Sequence, residues 1–499
     1  MAVFLSFDTI KVMALEDIRQ IKIEKVERLR KSGVDPYPSI STRTSSIVDA
    51  IKNFDILAES REEITLSGRI MARRQHGGSV FFDIDDGSGR RIQGFIKKDI
   101  VGDSEFETFI DLIDIGDFID ITGFLFKTKK EEKTIQANSY RLLAKALLPL
   151  PEKWHGLQDV EEKLRKRYLD LMLSDEVKGK FLIRAKIIDQ LRSFMQQNNF
   201  IEVDTPILQL VAGGAMAKPF GTHLNALDIE VYLRIAPELH LKRLLVGSFE
   251  RVFEFSRNFR NEGMDRDHNP EFSELEFYAA YKDYQWLMTF TEEMMHALVK
   301  NIFNKLTVTY NDKEIDFTPP YKRVSFNNLL KEYADIDYDS ASESDLAKKA
   351  ESLKIEINKA MTKGIIADEI YKKVARSNII QPTFIIDHPI EISPLAKKIA
   401  SDPNHVERMQ CIVGGHEIIN SYSELNDPTD QRKRFQAQQE TVKKGNEEAH
   451  PLDDDFVEAL EYGMPPAAGW GLGIDRFVAI LTDSHSIREV ILFPLMRPK

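Results

Sequence analysis

The 499-residue chain contains a single cysteine, Cys411. One thiol cannot form an internal disulfide, and it cannot supply a zinc cluster built on several thiolates. We therefore expect neither a disulfide framework nor zinc. Such sparing use of cysteine is typical of a protein that works in the reducing cytoplasm.

Long apolar runs and leader-like features are also missing. No run of about 18 apolar residues predicts a membrane span. The mildly apolar start, Met1–Val12, has neither a basic n-region nor a small-residue cleavage site, so we expect no secretory signal. Met13 stands directly before a helix-like run and is an alternative start to Met1.

Positive charge is not in excess, because the formal net charge is -12. This value argues against a protein that coats nucleic acid through bulk charge. It leaves a local basic groove open, since a sum says nothing about distribution. Composition alone therefore names no function.

The chain is too long for one compact core, so we expect two or three domains. Patterning predicts a helical segment over 1–60, a β-barrel over 61–148, a linker over 149–165 and a mixed α+β domain over 166–499. A polar stretch with helical period at about 332–376 is expected to be an insertion in the last domain.

A highly charged helix is predicted over Glu16–Lys31, with a thin apolar stripe. Its basic residues alternate with acids, and two interpretations stay open. The charges form either a solvated helix face or a contact with an RNA backbone.

Five segments with a period of two follow this helix, and turn signals separate the early ones. A helix is predicted at Ser104–Asp111, between the third and fourth segments. This pattern is typical of the small Greek-key barrel that binds oligonucleotides. The strands are predicted at Thr65–Met71, Ser79–Asp85, Arg91–Ile96, Asp117–Leu125 and Ile135–Leu143.

The rest of the chain mixes a long helix, Asp175–Gln197, with recurring strands. Two strands joined by a polar loop favour an antiparallel sheet over a doubly wound parallel one. The strands are predicted at Arg251–Arg260, Glu271–Tyr281, Met409–Ile412, Ile418–Glu424 and near Gly469.

Three constellations carry chemistry. In the first, a period of two places Phe272, Glu274, Glu276 and Tyr278 on one strand face. Buried carboxylates need partners, so this face suits a cationic ligand better than a core. Arg260, at the end of the opposing strand, is able to hold a phosphate and a substrate carboxylate. The alternative is an amphipathic hairpin with a solvated face.

The second constellation is the glycine-rich run Gly469–Arg476, which leads into an apolar helix. Glycines leave room for an adenosine against the sheet. Arg476 then lies in the first helical turn, where backbone N–H groups favour a polyphosphate. The alternative is a packed sheet–helix corner with Arg476 in a surface ion pair.

The third constellation places Asn420, Tyr422 and Glu424 on one face by strict alternation. Glu417 falls outside that register. Either a bulge intervenes, or Glu417 acts from another angle.

These segments, together with Asn199–Pro206, resemble the signature motifs of class II aminoacyl-tRNA synthetases. The resemblance extends over nearly everything from Arg19 onward and is closest to the lysine-specific branch. It implies a class II antiparallel sheet with flanking helices and an N-terminal five-stranded OB-fold barrel. A Walker A motif and the signatures of the other synthetase class are absent from the sequence. The matching segments are Arg234–Leu239, Phe259–Gly263, His268–Phe272, Ser423–Asp427 and Ile491–Pro494.

The resemblance implies that lysine attacks ATP and then passes to tRNA(Lys), without a nucleophilic side chain. Arg260 and Arg476 are the implied catalytic residues, and Mg²⁺ accompanies ATP as co-substrate. Gln410 and Glu417 are the implied metal positions, although most lysine enzymes have glutamate where Gln410 stands. The implied ATP contacts are Arg260, Glu262, His268, Asn269, Phe272, Glu417, Gly473 and Arg476.

The family's lysine pocket carries over to an acid-lined set. Glu276 is implied for the α-amino group, and Glu424 and Tyr278 for the ε-ammonium. Such a pocket repels aspartate as well as attracting lysine. The implied contacts are Gly214, Glu238, Arg260, Glu276, Tyr278, Asn420, Tyr422 and Glu424.

The resemblance also implies an anticodon reader and a partner subunit. Arg73, Phe81 and Gln93 are the implied anticodon contacts on the barrel. Of the adjacent Phe81 and Phe82 one must face inward, and the resemblance favours Phe81 for stacking. A homodimer is implied across Phe200–Pro206 and the preceding helix, with no membrane involved.

Two other classes of protein remain as alternatives. A catalytically dead relative that only binds tRNA would have lost Arg260, Phe272 or Arg476, and all three are present. A truncated relative that modifies a protein lacks the barrel.

Overall fold

The computed structural model describes residues 7–151, 159–215, 217–358, 361–443 and 452–498. The chain divides into two compact units, Met1–Gln158 and Asp159–Lys499. Of the linker predicted over 149–165, residues 152–158 lie outside the described residues. No described helix combines the length and apolar character that crossing a bilayer requires.

The first unit is a five-stranded closed barrel in the order β1-β2-β3-β5-β4. This confirms the predicted strands and the helix between the third and fourth of them. The apolar members of each strand alternate inward and share one core with the flanking helices. The elements are α1 (Phe7–Lys31), α2 (Ile47–Lys52), α3 (Phe54–Ser60), β1 (Ile64–His76), β2 (Ser79–Asp85), β3 (Arg91–Lys97), α4 (Lys98–Val101), α5 (Asp103–Leu112), β4 (Phe118–Lys127) and β5 (Lys133–Ala144).

Helix α1 confirms the predicted charged helix and extends it toward the N-terminus. Two of its basic residues form ion pairs within the same unit: Lys25 Nζ lies 2.7 Å from Asp114, and Arg28 contacts Asp111. Lys22 is buried, and its burial lowers the pKa of the ammonium. Lys22 and Lys25 therefore belong to the interior of this unit rather than to a solvated helix face, whereas Arg28 remains more than half exposed.

The second unit is built on a nine-stranded sheet in the order β14-β15-β17-β18-β19-β11-β10-β6, with β16 paired to β17. All its strand pairs are antiparallel except β14–β15 and β10–β6. This confirms the predicted antiparallel sheet and the α+β class. The strands of this sheet are β6 (Ile201–Glu202), β10 (Arg251–Phe259), β11 (Glu271–Ala280), β14 (Lys322–Ser325), β15 (Thr383–Pro389), β16 (Lys398–Ile399), β17 (Asp402–Val413), β18 (His416–Ser423) and β19 (Ala467–Gly473). Two smaller sheets are formed by β7 (Leu208–Gln209), β8 (Gly221–Leu224) and β9 (Ile229–Leu233), and by β12 (Thr307–Tyr310) and β13 (Lys313–Asp316).

Some helices of this unit pack on the apolar face of the sheet, and α9 and α15 share a second cluster with Tyr278 on the other face. Ser174 caps α8 by accepting a hydrogen bond from the Val177 N–H, and the apolar positions of α8 then recur at helical spacing. The helices are α6 (Val160–Arg165), α7 (Arg167–Leu173), α8 (Asp175–Gln197), α9 (Glu238–Val246), α10 (Tyr284–Phe303), α11 (Phe326–Ala334), α12 (Glu343–Ser352), α13 (Lys363–Val374), α14 (Pro428–Lys443), α15 (Asp454–Glu461) and α16 (Ile474–Leu481). Short 3-10 turns lie at Arg376–Asn378, Ile390–Ile392 and Ile487–Glu489.

The core of the second unit lies between the sheet and helices α8, α10 and α16. Leu275 and Phe277 of β11 point into it, and Trp470 stacks on Phe277 with ring centroids 4.9 Å apart. Cys411 of β17 lies in the same core, where burial raises the pKa of its thiol. The opposite face of β11 is therefore left for polar side chains.

Candidate active site

A cavity of about 460 Å³ lies on the polar face of the large sheet. Strands β11, β17, β18 and β19, helix α13, and the loop between β10 and β11 all contribute to its wall. Phe272, Glu274, Glu276 and Tyr278 face it together, as the period of two predicts. Glu276 and Tyr278 are almost fully buried, so this strand face is not the solvated side of a hairpin.

One end of the cavity is cationic. The Arg260 guanidinium lies 4.9 Å from the centroid of the Phe272 ring. Its buried Nε has no hydrogen-bond partner among the described residues. A buried, unpartnered donor on a fixed guanidinium is suited to an anionic ligand.

Arg476 lies in the first turn of α16, as predicted, and is bound to the loop between β10 and β11. Its Nη2 lies 3.1 Å from His268 Nε2, and its Nη1 donates to the Glu417 carbonyl at 3.1 Å. Since arginine only donates, His268 Nε2 accepts, and the protonated Nδ1 donates to Asp265 at 2.9 Å. The loop and the helix terminus thus form one connected cationic wall.

The remaining positions implied for the nucleotide also line this end. Glu262 accepts a hydrogen bond from the Lys218 N–H at 3.1 Å. Asn269 donates to the Glu271 carbonyl, while its buried Oδ1 has no partner in the described part of the chain. Gly473 precedes α16 and has open space where a Cβ would stand.

The other glycines of β19 serve the protein's own side chains. A Cβ at Gly469 would lie 2.0 Å from Glu424 Oε1 and 2.4 Å from the Tyr278 ring. A Cβ at Gly471 would lie 3.0 Å from Glu274 Oε1. The missing side chains at these two positions therefore admit carboxylates, where the sequence suggested room for an adenosine.

A β-bulge returns Glu417 to the cavity. The register between β17 and β18 shifts between Cys411 and Ile412: Cys411 pairs with Ile419, but Ile412 pairs with Glu417. Ile418 is the extra residue, and it lets Glu417 and Asn420 both line the cavity. Of the two explanations that the sequence left open for Glu417, the bulge is correct.

Gln410 lies beside Glu417 and is held at both ends of its amide. Gln410 Nε2 donates to Glu417 Oε2 at 2.8 Å, and Gln410 Oε1 lies 3.2 Å from Nε2 of the buried His388. In the described residues no group of three or more His, Cys, Asp or Glu side chains could hold a metal ion. Glu417 therefore supplies one carboxylate, which fits Mg²⁺ when phosphate oxygens provide further ligands.

The other end of the cavity is acidic. Tyr278 OH donates to Glu276 Oε2 at 3.0 Å, and Tyr422 OH donates to Glu238 Oε1 at 2.7 Å. Burial, reinforced by Glu274 and Glu238, raises the pKa of Glu276 well above its usual value. An ammonium group that enters this end would stabilise the ionised carboxylates and so oppose the rise in the pKa of Glu276.

Gly214 and Asn420 complete this end. Gly214 has a φ of 92°, and a Cβ there would lie 3.0 Å from the Glu238 Cβ, so glycine is required on both counts. Asn420 Oδ1 accepts a hydrogen bond from Arg408 Nε at 2.9 Å. Arg408 in turn donates to Ser393 and the Ile392 carbonyl, which fixes the orientation of the amide.

Glu424 is the one implied lysine contact that is not part of the cavity wall. It follows the end of β18, and its carboxylate is buried behind Gly469, next to Tyr278. Its Oε2 lies 2.5 Å from Nζ of the fully buried Lys242. Strict alternation therefore placed Glu424 at the correct end of the site but did not reveal this internal partner.

Several charged lining residues were not identified from the sequence. Asp368, Lys372 and Arg376 project from one side of α13 and the following turn. They recur at helical spacing, which the pattern of a polar insertion could have revealed. Arg408 had no such signal.

On the barrel, the three implied anticodon positions have different surroundings. Phe82 is buried and Phe81 faces outward, as predicted, with the Phe81 ring 4.6 Å from Phe95. Arg73 donates to the Ile110 and Ile113 carbonyls near the end of α5. Gln93 is buried and donates to Glu132 at 3.0 Å.

Comparison with known proteins gives concordant matches for both units. Residues 159–497 match the family of class II tRNA synthetases (D, K and N), and residues 64–143 match the OB-fold nucleic acid binding domain. A lysine–tRNA ligase of Moorella thermoacetica is 46% identical over 98% of this chain and 99% of that protein. The enzyme of the same name from Carboxydothermus hydrogenoformans is 45% identical over 97% of this chain and 99% of its own length. The one from Porphyromonas gingivalis is 44% identical over 98% of this chain and 87% of its own length.

Proposed function

Since the chain belongs to the class II tRNA synthetases and, among them, to the lysine–tRNA ligases, we propose that it activates lysine with ATP and transfers it to tRNA(Lys). The observation that carries this proposal is the polarity of the cavity. Its cationic end holds Arg260 and Arg476, and its acidic end holds Glu238 and Glu276. A ligand that is anionic at one end and cationic at the other fits this polarity.

The first step joins the lysine carboxylate to the α-phosphorus of ATP. A carboxylate oxygen forms the new bond to phosphorus, the bond to the bridging oxygen breaks, and pyrophosphate leaves without transfer of a proton. Arg260 orients both reacting groups, and Arg476 and His268 hold the outer phosphates. Phe272 supplies a flat surface for the adenine, and Glu262 and Asn269 contact the nucleotide.

Glu417 and Gln410 are the protein groups that would hold Mg²⁺, which neutralises phosphate charge during the displacement when it is bound. Glu417 contributes the negative charge. Gln410 keeps that carboxylate oriented through the hydrogen bond of 2.8 Å. In the second step, a hydroxyl of the terminal ribose of tRNA attacks the activated carbonyl, the bond from the carbonyl carbon to the phosphate oxygen breaks, and AMP leaves with its phosphate taking up the hydroxyl proton.

Selection of lysine rests on carboxylates held at the far end of the cavity. Glu276 receives the α-amino group, and Glu424 with Tyr278 receives the ε-ammonium. Gly214, Glu238, Asn420 and Tyr422 shape the pocket. A negatively charged side chain such as that of aspartate would be repelled here.

The barrel serves as the anticodon reader, and residues 61–148 form this domain. Residues 166–499 form the catalytic domain, with a helical insertion at about 332–376. The outward Phe81 ring stacks on an unpaired base, while Arg73 and Gln93 make polar contacts nearby. The protein acts in the cytoplasm, where charged tRNA is used.

The active form is a homodimer. Ile201 is 52% exposed and Leu208 48% exposed, and they lie on the short strands β6 and β7 that follow α8. Phe200, by contrast, packs within its own chain against Phe277 at 5.0 Å, so it is not part of the interface. A partner subunit would cover the exposed apolar side chains.

Pyrophosphate exchange with each of the twenty amino acids tests the proposed function. Lysine alone should support exchange, and an Arg260→Gln variant should lose it. Transfer to tRNA should then follow with the wild-type protein. Exchange with another amino acid, or none with any, would overturn the proposal, and the second result would favour a dead relative.

A further inference from the structure

Lys242 is a buried cation inside the acidic end of the site. It lies on α9, one turn after Glu238, and it is fully buried. Its Nζ lies 2.5 Å from Glu238 Oε1 and 2.5 Å from Glu424 Oε2. The same nitrogen lies 5.4 Å from the centroid of the Tyr422 ring.

A buried ion pair at this position that served only to stabilise the fold would be unfavourable in free energy. Removing charges from water carries a desolvation penalty, and packed apolar side chains often give equal or greater stability. Burial alone would lower the pKa of Lys242, but Glu238 and Glu424 outweigh burial and raise it. Lys242 therefore stays charged, and with both carboxylates ionised the three groups have a formal net charge of one negative unit.

An acceptor for one further cation remains in this group. Glu424 Oε1 is buried and has no hydrogen-bond partner among the described residues. It faces Gly469 and the Tyr278 ring, both of which line the cavity. Lys242 thus forms an ion pair with one oxygen of Glu424, and the other oxygen lies behind Gly469, which lines the cavity.

We propose that Lys242 is a positioning residue for lysine selection, which holds Glu238 and Glu424 in place and cancels one of their two charges. The charge that remains matches one ε-ammonium group. This inference rests on the proposed function, because it assigns a ligand to the pocket of the same site.

The state of Glu424 supports the same conclusion. Burial raises the pKa of this carboxyl to about 8, even though Lys242 opposes the shift. Glu238 on α9 raises the pKa further, and Tyr278 on β11 and Tyr422 on β18 also face this group. Without Lys242, the pKa of Glu424 would rise further, and the ionised form that binds an ammonium would be harder to reach.

The first experiment compares Lys242→Met with Arg243→Met by pyrophosphate exchange. Arg243 is the next residue on α9 and also loses a cation, but it pairs with Asp453 at 3.1 Å and does not line the cavity. Lys242→Met should lower kcat/KM for lysine by about tenfold or more, as expected for breaking a desolvated charge pair. The KM for ATP should stay within about twofold. Arg243→Met should behave as wild type.

A double-variant cycle separates charge matching from simple packing. With both carboxylates ionised, Lys242→Met gives this cluster a formal net charge of −2, Glu238→Gln gives it 0, and the double variant Glu238→Gln/Lys242→Met restores the wild-type value of −1. The loss of lysine affinity in the double variant should therefore be smaller than the sum of the losses in the two single variants. The double variant should also fold if Lys242→Met alone does not.

Each outcome decides a different question. Additive losses in the cycle, or an unchanged KM for lysine in Lys242→Met, would overturn the role of Lys242 and leave the proposed function intact. Failure of the wild-type protein to activate lysine would overturn the proposed function itself.

Discussion

The Glu424 side chain offers a direct test of lysine selection at the residue scale. Glu424→Gln keeps the shape of the side chain but removes the charge that faces Gly469 and Tyr278. Lysine binding should weaken by about 2–5 kcal/mol, because a desolvated charge pair loses one partner. ATP binding should be unchanged, since Glu424 lies at the opposite end of the site from Arg260. Calorimetric titration with each substrate checks this, and equal losses for both would contradict it.

The same carboxyl predicts a pH dependence. An unfolded glutamate has a pKa of about 4.3, whereas burial raises the pKa of Glu424 to about 8 in the folded protein. The folded state therefore holds a proton that the unfolded state has lost, and this contribution to the free energy of unfolding falls as pH rises between the two values. Lysine binds the ionised form, so the KM for lysine should fall as pH rises from about 6 to 8.

A series of KM measurements across this range, on wild type and Glu424→Gln, checks the sign. The variant should lose the part of the pH dependence that belongs to this carboxyl. Parallel profiles would show that another group titrates.

Gln410 is the second residue to test, because its neutral amide stands at an implied metal position. Gln410→Glu should lower the Mg²⁺ concentration that gives half-maximal adenylate formation, since a second carboxylate adds charge to the ion's surroundings. It should have little effect on the lysine requirement.

The melting temperature of Gln410→Glu is a second quantity that tests the role of this position. Gln410→Glu replaces a hydrogen bond of 2.8 Å to Glu417 with two facing carboxylates. The melting temperature should therefore fall in the absence of Mg²⁺ and ATP and recover when both are added. Gln410→Met serves as the control, because it removes the amide without adding charge. An unchanged Mg²⁺ titration would falsify a metal role for position 410.

At the scale of elements, the barrel exposes a row of aromatic rings. Phe81 on β2 lies 4.6 Å from Phe95 on β3, which lies 6.0 Å from Phe126 on β4. Phe81→Ala should weaken tRNA binding by roughly 1–3 kcal/mol, the value of one base stack. Adenylate formation should be unaffected, because the cavity is built from the other unit.

The control is Phe118→Ala, at the opposite end of β4 from Phe126. Phe118 also faces outward, and the Arg69 guanidinium lies 4.2 Å from its ring centroid. tRNA binding measured by filter retention, together with pyrophosphate exchange, separates the two roles. A large loss of exchange in Phe81→Ala would show that the barrel is not a separate reader.

Regular elements could be predicted because their signals repeat. Five strands of period two gave the barrel, and the alternation along β11 put Phe272 and Tyr278 on the cavity face. Helix α8 followed from its apolar spacing. In each case several residues show the same periodicity, so a single exception does not change the predicted element.

Features that depend on a single residue could not be predicted. The bulge at Ile418 shifts the register by one position and has no compositional mark. Lys242 sits in an amphipathic helix where any cation looks like a surface residue. The shared face of Asp368, Lys372 and Arg376 on α13 follows from helical spacing, but its position against the cavity depends on tertiary packing, which periodicity does not report.

At the scale of the whole molecule, the exposed apolar side chains after α8 predict self-association. Sedimentation should give a dimer, and Ile201→Asp should shift the equilibrium toward monomer, because a buried charge without a partner is costly. Tyr462→Asp is the control, since Tyr462 is 81% exposed at the end of α15. A fully active wild-type monomer would contradict the predicted interface.

The single thiol of Cys411 gives this molecule a built-in reporter. It lies in the core of the nine-stranded sheet, on the side away from the cavity, and its burial disfavours the reactive thiolate. A thiol-directed dye can therefore label the chain only while that sheet is open. The labelling rate measures how often the sheet opens. Substrates that bind in the cavity should slow labelling, and tighter binding should slow it more.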